Sequence, residues 1–450
     1  MNPHVKRFTR YSLFTLLALV LLYAIGRPIH VWLDSFYSGA RGPYLQMPAP
    51  DAITLRWQSP EVVQATVRYG TDPRQLTRHS KTLAASEQHE VRLKGLAPDT
   101  RYYYAIDHNG HQVYGGEDYY FRTAPATGSA RPIRLWVIGD PGYAGERQDR
   151  VRERALEWMD RHPRPDNLPT LDVWLTTGDN AYTSGSNPQF QQQFFSPFAE
   201  LLRHQPIWPA YGNHDDRRNV FFDIFSLPQH GESGGLASGT EYYYSFDFAD
   251  LHVIMLDTEV SDLDSDSPML KWLKADLADT KQPWKIVVLH HPPYTHGGHN
   301  SDNIFDSNGR MFEVRRNILP LLEQGGVQLV LSGHSHVYER SWPLRCHYGT
   351  SDSLENTMIL SRQREQGAVY STGGTVYAVV GSSSKLDHGP LDHPAMAISL
   401  ESLGSLIVDI AGDRMTARFI DDQGKIRDEF VIRRGMGDAV KPSDGNAACR

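Results

Sequence analysis

The sequence predicts two folded parts: a small all-β sandwich, then a larger α/β domain in which helices flank β-layers. Three observations carry this reading. Short strands with alternating polarity fill the stretch from Tyr44 to Pro125; five longer apolar runs follow, each closing on a polar cluster; and helix-like stretches lie between those runs. The composition of the 450-residue chain agrees, with 40% hydrophobic and 11% aromatic residues. That is enough apolar mass for a real core and far too aromatic for a disordered chain. A net charge of −8 argues against a nucleic-acid binder, which needs a basic face. Two cysteines cannot staple a chain of this length into a disulfide scaffold. Twenty histidines are the feature that composition leaves unexplained.

Residues 1–43 read as an export segment with a linker. Lys6, Arg7 and Arg10 precede the apolar run Tyr11–Ile25, which Gly26, Arg27 and Pro28 close. A basic flank before a short apolar run is the pattern of an export signal, and the run falls short of the ~20 residues of a full span. An uncleaved signal anchor holding residues 11–25 in a membrane and a removed signal peptide both stay open. The basic residues would keep that end in the cytoplasm and send the rest outside. The expected location is therefore periplasmic or cell-envelope, or secreted if the segment is removed. No Asn-x-Ser/Thr acceptor occurs, which leans towards a bacterial envelope. Disulfides are allowed there, yet the spacing of Cys346 and Cys449 does not specify a pair. Residues 436–450 form a polar tail.

Residues 44–126 hold the first folded part. ITLRWQS, QATVRYG, HEVRLKGL, TRYYYAID and DYYFRTAP alternate apolar with polar residues, as half-buried strands do. Gly70-Thr71-Asp72-Pro73, Ala97-Pro98-Asp99 and Asn109-Gly110 supply turns. Strands at this spacing indicate a β-sandwich. With Trp57, Tyr69-Gly70 and Leu96-x-Pro98-x-Thr100-x-Tyr102, the segment resembles a fibronectin type III module. It shows no nucleophile or ligand cluster and reads as a packing or spacer unit.

Residues 130–435 hold the second part. IRLWVIGD, LDVWLTTGDN, PIWPAYGNHD, WKIVVLHH and VQLVLSGHSH are its apolar runs, with helical stretches at 145–162 and 269–280. Strands alternating with helices imply helices covering a central sheet, and in such sheets the ligand site lies beyond the carboxyl ends of the strands. The polar clusters fall at those ends. They bring together Asp140, Asp179, Tyr182, Asn213, His214, Asp215, His290, His291, His334 and His336. Carboxylates, imidazoles, a phenol and an amide at one edge are a ligand set for a metal pair. Imidazole suits Zn, Fe or Mn, and a bridging carboxylate can hold two ions ~3.5–4 Å apart. The glycines before Asp179, Asn213 and His334 are expected to let the backbone turn sharply there.

Each of these motifs alone is common; their order along the chain is not. Asp140-x-Gly142, Gly178-Asp179-x-x-Tyr182, Gly212-Asn213-His214-Asp215, Val287-x-x-His290 and Gly333-His334-x-His336 together resemble the metallophosphoesterase (calcineurin-like) superfamily, most of all its purple acid phosphatase branch. Tyr182, the stretch Val337-Tyr338-Glu339-Arg340-Ser341 and the preceding β-module favour that branch; Asp215, where the branch more usually has Glu, departs from it. The resemblance implies metallophosphoesterase β-layers flanked by helices. It implies one ion held by Asp140, Tyr182 and His336, a second by Asn213, His290 and His334, and Asp179 bridging. His291 is expected to be a neighbour of the site rather than a ligand. Tyrosinate at Tyr182 favours Fe(III), with Fe, Zn or Mn as the second ion.

The implied chemistry is hydrolysis of phosphomonoesters by a metal-activated water. His214, fixed by Asp215, is the expected proton donor and phosphate contact, and His299 and His296 are the expected substrate-binding residues. The expected partner is a small phosphorylated substrate and not a nucleic acid. A phosphodiesterase, including one for cyclic nucleotides, would use the same residues. A non-catalytic envelope binding protein would require lost ligands, and none is missing. Oligomeric state has no signature in the sequence.

Overall fold

The computed structural model describes Gly39–Arg434 and Cys449, apart from residues 82–83, 166–167, 217, 363, 366–367 and 372–373. The apolar segment 11–25 lies outside the described residues, as does nearly all of the polar tail.

The first part contains β1 (Arg41–Gln46), β2 (Ala52–Val63), β3 (Ala65–Gly70), β4 (Arg78–Lys81), β5 (Ser86–Lys94), β6 (Arg101–His108), β7 (His111–Tyr114) and β8 (Tyr120–Arg122). They form a sandwich of two antiparallel sheets, β1-β2-β5 and β4-β3-β6-β7, with β8 paired to β6. Alternating residues Ile53, Leu55, Trp57, Val67, Tyr69, Val91, Leu93, Tyr102 and Tyr104 fill its core, as the period of two requires. Strand β1 serves both parts: Leu45 enters the sandwich core, whereas Tyr44 enters the core of the second part. The Tyr44 hydroxyl donates to the Ile224 carbonyl at 2.6 Å, and the Tyr104 hydroxyl to that of Arg203 at 2.6 Å.

The second part begins with β9 (Ile133–Ile138), β10 (Val173–Thr176), β11 (Ile207–Trp208), β12 (Tyr244–Phe248), β13 (Leu251–Leu256), β14 (Trp284–Leu289) and β15 (Leu329–Ser332). It continues with β16 (Tyr338–Ser341), β17 (Arg364–Glu365), β18 (Ala368–Ser371), β19 (Val376–Val380), β20 (Met396–Leu400), β21 (Gly404–Ala411), β22 (Arg414–Asp421) and β23 (Ile426–Arg433). These make two sheets rather than one central sheet. The first runs β11-β10-β9-β21-β22-β23-β18-β17 and the second β12-β13-β14-β15-β19-β16-β20. The difference arises because β21 adds antiparallel to β9 from far along the chain, a pairing that local periodicity does not encode.

In the second sheet successive residues face opposite ways. Val253, Ile286, Val288, Leu329 and Leu331 point to the core between the sheets. Ile254, Val287, Leu289 and Val330 point outward, under helices. One of those helices, α2 (Pro268–Asp279), is capped by the Ser267 hydroxyl with Pro268 in its first turn, and buries Met269, Leu270, Leu273 and Leu277. Helix α1 (Glu146–Arg161) buries Val151, Ala155, Trp158 and Met159, spaced along one face. Strands buried on both sides are apolar throughout, which is why β9, β10, β14 and β15 read as continuous runs. β9, β10 and β11 belong to one sheet, β14 and β15 to the other, and the loops at their carboxyl ends meet.

Candidate metal centre

The side chains at the strand ends are held by a strained backbone. Asp140, Asp179 and His334 sit at φ 52°, 53° and 68°, a left-handed region that costs a non-glycine residue about 1–3 kcal/mol. Buried hydrogen bonds hold them there. The His334 amide donates to both Asp140 oxygens at 3.1 and 3.0 Å, and the His214 amide to Asp179 Oδ1 at 2.7 Å. Gly178 does take up a turn only glycine favours, at φ 102°. Gly212 and Gly333 do not turn in that way; close approach demands them instead. A Cβ at either would lie 2.3 Å from the Asp179 nitrogen or from Asp140 Oδ2, respectively.

Two sets of donor atoms result. Tyr182 Oη lies 2.8 Å from Asp179 Oδ2, 2.9 Å from His336 Nε2 and 3.3 Å from Asp140 Oδ1. On the other side, Asn213 Oδ1 lies 2.8 Å from His290 Nε2 and 2.9 Å from His334 Nδ1, and His290 Nε2 is 3.4 Å from Asp179 Oδ1. Asp179 thus presents one oxygen to each set. Donor atoms bound to one ion at ~2.0–2.2 Å stand about this far apart.

The donor chemistry fits cations. His290 Nδ1 faces the Thr177 carbonyl at 2.8 Å and therefore carries the proton, which leaves a lone pair on Nε2 aimed at the Asn213 oxygen. His336 repeats this, with Nδ1 held 2.6 Å from the Asp387 carboxylate and Nε2 turned to Tyr182. At His290 acceptor faces acceptor, which is stable only with positive charge between. Among the described residues the ion-pair partners of Asp140 and Asp179 are His336 and His290, not a lysine or arginine. Burial and the Asp179 charge push the Asp140 carboxyl well above its usual range; burial and both carboxylates do the same to the Tyr182 phenol. Burial lowers His290, and lowers His334 strongly, towards the neutral form that binds metal.

A profile of the calcineurin-like phosphoesterase family matches residues 133–338, and one of the purple acid phosphatase N-terminal domain matches residues 41–123. The chain therefore carries a calcineurin-like phosphoesterase domain behind a purple acid phosphatase N-terminal domain. It is similar to purple acid phosphatase 22 of Arabidopsis thaliana, at 30% identity over 56% of this chain and 53% of that one. Purple acid phosphatase 18 of the same plant is 31% identical over 64% of this chain and 62% of its own. The chain spans about half to three-fifths of the length of the first curated relatives it matches. A purple acid phosphatase from yellow lupin (Lupinus luteus) seeds shares the fold, with a TM-score of 0.70 at 18% identity over 88% of this chain and 75% of that chain.

The site departs from expectation in how His214 is held. Asp215 does not touch the His214 ring. Its carboxylate is fully buried and accepts from the amides of Asn180 at 3.0 Å and Gly212 at 3.1 Å and from Asn180 Nδ2 at 2.9 Å, which ties the Asp179 loop to the Asn213 loop. The half-buried His214 ring is oriented by the Thr183 carbonyl, 2.8 Å from Nδ1, and packs 4.4 Å from the Tyr182 ring. His291 is buried against Thr258, 3.0 Å from Nδ1, with its ring 4.5 Å from that of His334. His299 stacks on the His334 ring at 3.9 Å, with Nδ1 held by Asp306 at 2.9 Å. His296 turns instead to Asp392, 2.8 Å from Nδ1, and to a separate cluster.

Several neighbours of the phosphoesterase centre were not found from sequence. Asp387 and the Thr177 carbonyl set the histidine tautomers, the Ser307 hydroxyl sits 2.6 Å from His334 Nε2, and Tyr143 stacks 4.2 Å from Tyr182. Thr177 directly precedes Gly178-Asp179 and Tyr143 follows Asp140-x-Gly142, so both could have been singled out there; Asp387 and Ser307 belong to no strand-end motif.

Proposed function

We propose that this chain is a binuclear metal-dependent phosphatase acting on small phosphomonoesters. The observation that carries the reading is the pair of donor sets sharing Asp179: Asp140, Tyr182 and His336 on one side, Asn213, His290 and His334 on the other. The phenol suits Fe(III) in the first set; Fe, Zn or Mn suits the second. When bound, two cations supply charge neutralisation of the phosphoryl group and make water acidic enough to attack near neutral pH.

The chain's own side chains supply the rest. With Nδ1 taken by Thr183, His214 has Nε2 left to hand a proton to the leaving oxygen. With Nδ1 taken by Asp306, His299 has Nε2 left to meet a phosphate oxygen. Asp387 and Thr177 keep His336 and His290 in the tautomer whose Nε2 lone pair points into the centre. Export is part of the proposal: the sequence of residues 11–25 motivates it, and the Cys346–Cys449 disulfide suits an oxidising compartment. Among the described residues no helix is long and apolar enough to cross a membrane, so any anchoring falls to that segment.

The test is metal content, a visible spectrum and turnover on purified full-length protein. Two ions per chain at the Asp179 centre, a tyrosinate–Fe(III) charge-transfer band and faster turnover of aryl phosphate than of bis-aryl phosphate are expected. A preference for the diester or a cyclic nucleotide would overturn the monoester assignment. Fewer than two ions at the Asp179 centre under replete conditions would overturn the binuclear one.

A further inference from the structure

A second group of histidines lies beside the phosphoesterase centre and takes no part in it. His296 and Asp302 come from the loop after β14, and His393 from the segment before β20. His296 Nε2 is 3.3 Å from Asp302 Oδ2, His393 Nε2 is 3.9 Å from Asp302 Oδ1, and one donor atom from each of the three residues lies within 4.8 Å of the others. The rings of His296 and His393 meet at 4.7 Å.

The polar atoms here are unusually poorly served. His296 Nε2 and His393 Nε2 are buried and make no hydrogen bond among the described residues, and the same holds for both ring nitrogens of His347, which stacks on Tyr294 alongside. The His393 side chain is 0% exposed. Buried polar groups almost always have partners, and clustered exceptions point to an ion or ordered water. The surroundings are those of ligands already aimed. Asp392 accepts from His296 Nδ1 at 2.8 Å, which leaves a lone pair on Nε2 and forms the carboxylate–histidine arrangement of metal sites. Arg315 and the Ser351 amide, each at 3.1 Å, hold Asp302 Oδ1 and leave Oδ2 facing that lone pair.

We infer that His296, Asp302 and His393 form a third metal site, for a single divalent transition-metal cation of the zinc type. Two imidazoles and a carboxylate are a set zinc takes, with water in the fourth position. Zinc bonds of ~2.0–2.2 Å in a tetrahedron place neighbouring ligands about 3.3–3.6 Å apart, and His296 Nε2 and Asp302 Oδ2 already stand 3.3 Å apart. One adjustment is needed: His393 Nδ1 accepts the Ala395 amide at 3.2 Å, which puts the ring proton on Nε2. Binding moves that proton to Nδ1 and gives up this long bond. The ion would clamp the loop that carries His299 to the segment before β20, and so act as a staple rather than as a catalyst. The competing occupant is a proton, with His296 as an imidazolium between Asp392 and Asp302.

Anomalous scattering at the zinc edge from crystals of the full-length, zinc-saturated protein decides between them. A peak among the three residues is expected; its absence while the Asp179 centre is filled overturns the inference. A peak here with none at Asp179 would uphold this site and overturn the binuclear reading. In solution, His393→Ala and His296→Ala are each expected to lower bound zinc by one ion per chain, and Asp179→Asn to lower only the remainder. Unchanged stoichiometry in folded His393→Ala would overturn the site, and the scattering measurement on the native chain stands if that variant does not fold.

Discussion

Asp387 Oδ2 and His336 Nδ1 meet at 2.6 Å although 51 residues separate them in sequence. The bond fixes the imidazole proton on Nδ1 and turns Nε2 to the Tyr182 hydroxyl. In return the hydrogen bond from His336 draws the Asp387 carboxyl down to about 2, against the opposing effect of burial. Asp387→Asn is expected to weaken metal binding at the Tyr182 side by about 10–100-fold, the usual effect of losing such a partner. Metal titration checks this, and an unchanged affinity would show that the ring needs no anchor.

Asp179 is the one residue shared by both donor sets. Asp179→Asn should lose metal from both, and turnover with it. In a His393→Ala background, which removes the separate His296–His393 site, its melting temperature should match that of the chelated parent, because metal binding contributes folding free energy. Calorimetry with and without chelator tests this; a variant that still melts higher with added metal in that background would argue against sharing.

His214 is half-buried, and its ring nitrogen bonds the Thr183 carbonyl rather than a metal-side donor. His214→Ala should therefore keep full metal content and lose about 10²–10⁴-fold in kcat, the range for a general acid. Parallel metal analysis and kinetics on an aryl phosphate separate the two effects. Loss of metal would recast His214 as a structural residue.

Arg340 and Asp428 join the two sheets of the phosphoesterase part. Arg340 on β16 donates to Asp428 on β23 at 2.7 and 2.9 Å, and the Tyr338 hydroxyl adds a third bond at 2.8 Å. Both side chains are buried. Asp428→Ala should cost about 3–5 kcal/mol by stranding the guanidinium, and the Arg340→Met/Asp428→Leu double variant should recover most of it. Denaturation midpoints give the comparison; equal loss in single and double variants would contradict the argument.

His252 lies buried between Asp247 and Asp276, each 2.8 Å from a ring nitrogen. Burial alone would lower its pKa, yet the two carboxylates outweigh burial and raise it to about 9. The folded value exceeds the unfolded one, so its contribution is complete below about pH 6.5. It fades as pH rises through about 9. His252→Gln should lose about 3–5 kcal/mol at pH 6 and show a flatter stability profile between pH 6.5 and 9. A profile that keeps the native slope would assign that slope to another group.

Much of this molecule is legible in its sequence because its signals are local. Continuous apolar runs mark β9, β10, β14 and β15 as strands covered on both faces, and the polar residues that end them mark the edge where ligands gather. The motif Val337-Tyr338-Glu339-Arg340-Ser341 was visible only as a resemblance. The structure supplies its physics: Arg340 bridges to the other sheet, while Glu339, buried beside Thr295, accepts from the Ser399 hydroxyl at 3.0 Å. Asp387 and Ser307 carried no signal, since a single Asp or Ser in a loop has no periodicity and no spacing to betray it.

The sequence by itself determined which residues would stand at the strand ends, since strand length, alternation and terminal glycines are written within a few residues of each other. Only the tertiary structure decided which donor atom faces which. The pairing of β21 with β9, the placement of two sheets face to face and the arrival of Asp387 at His336 depend on contacts between distant segments. The two oxygens of Asp179 part between the donor sets, Asp215 braces loops rather than His214, and His296 leaves the first cluster for another. A side chain's role follows from the atoms its fold brings within hydrogen-bond reach, and that is a property of packing rather than of position along the chain.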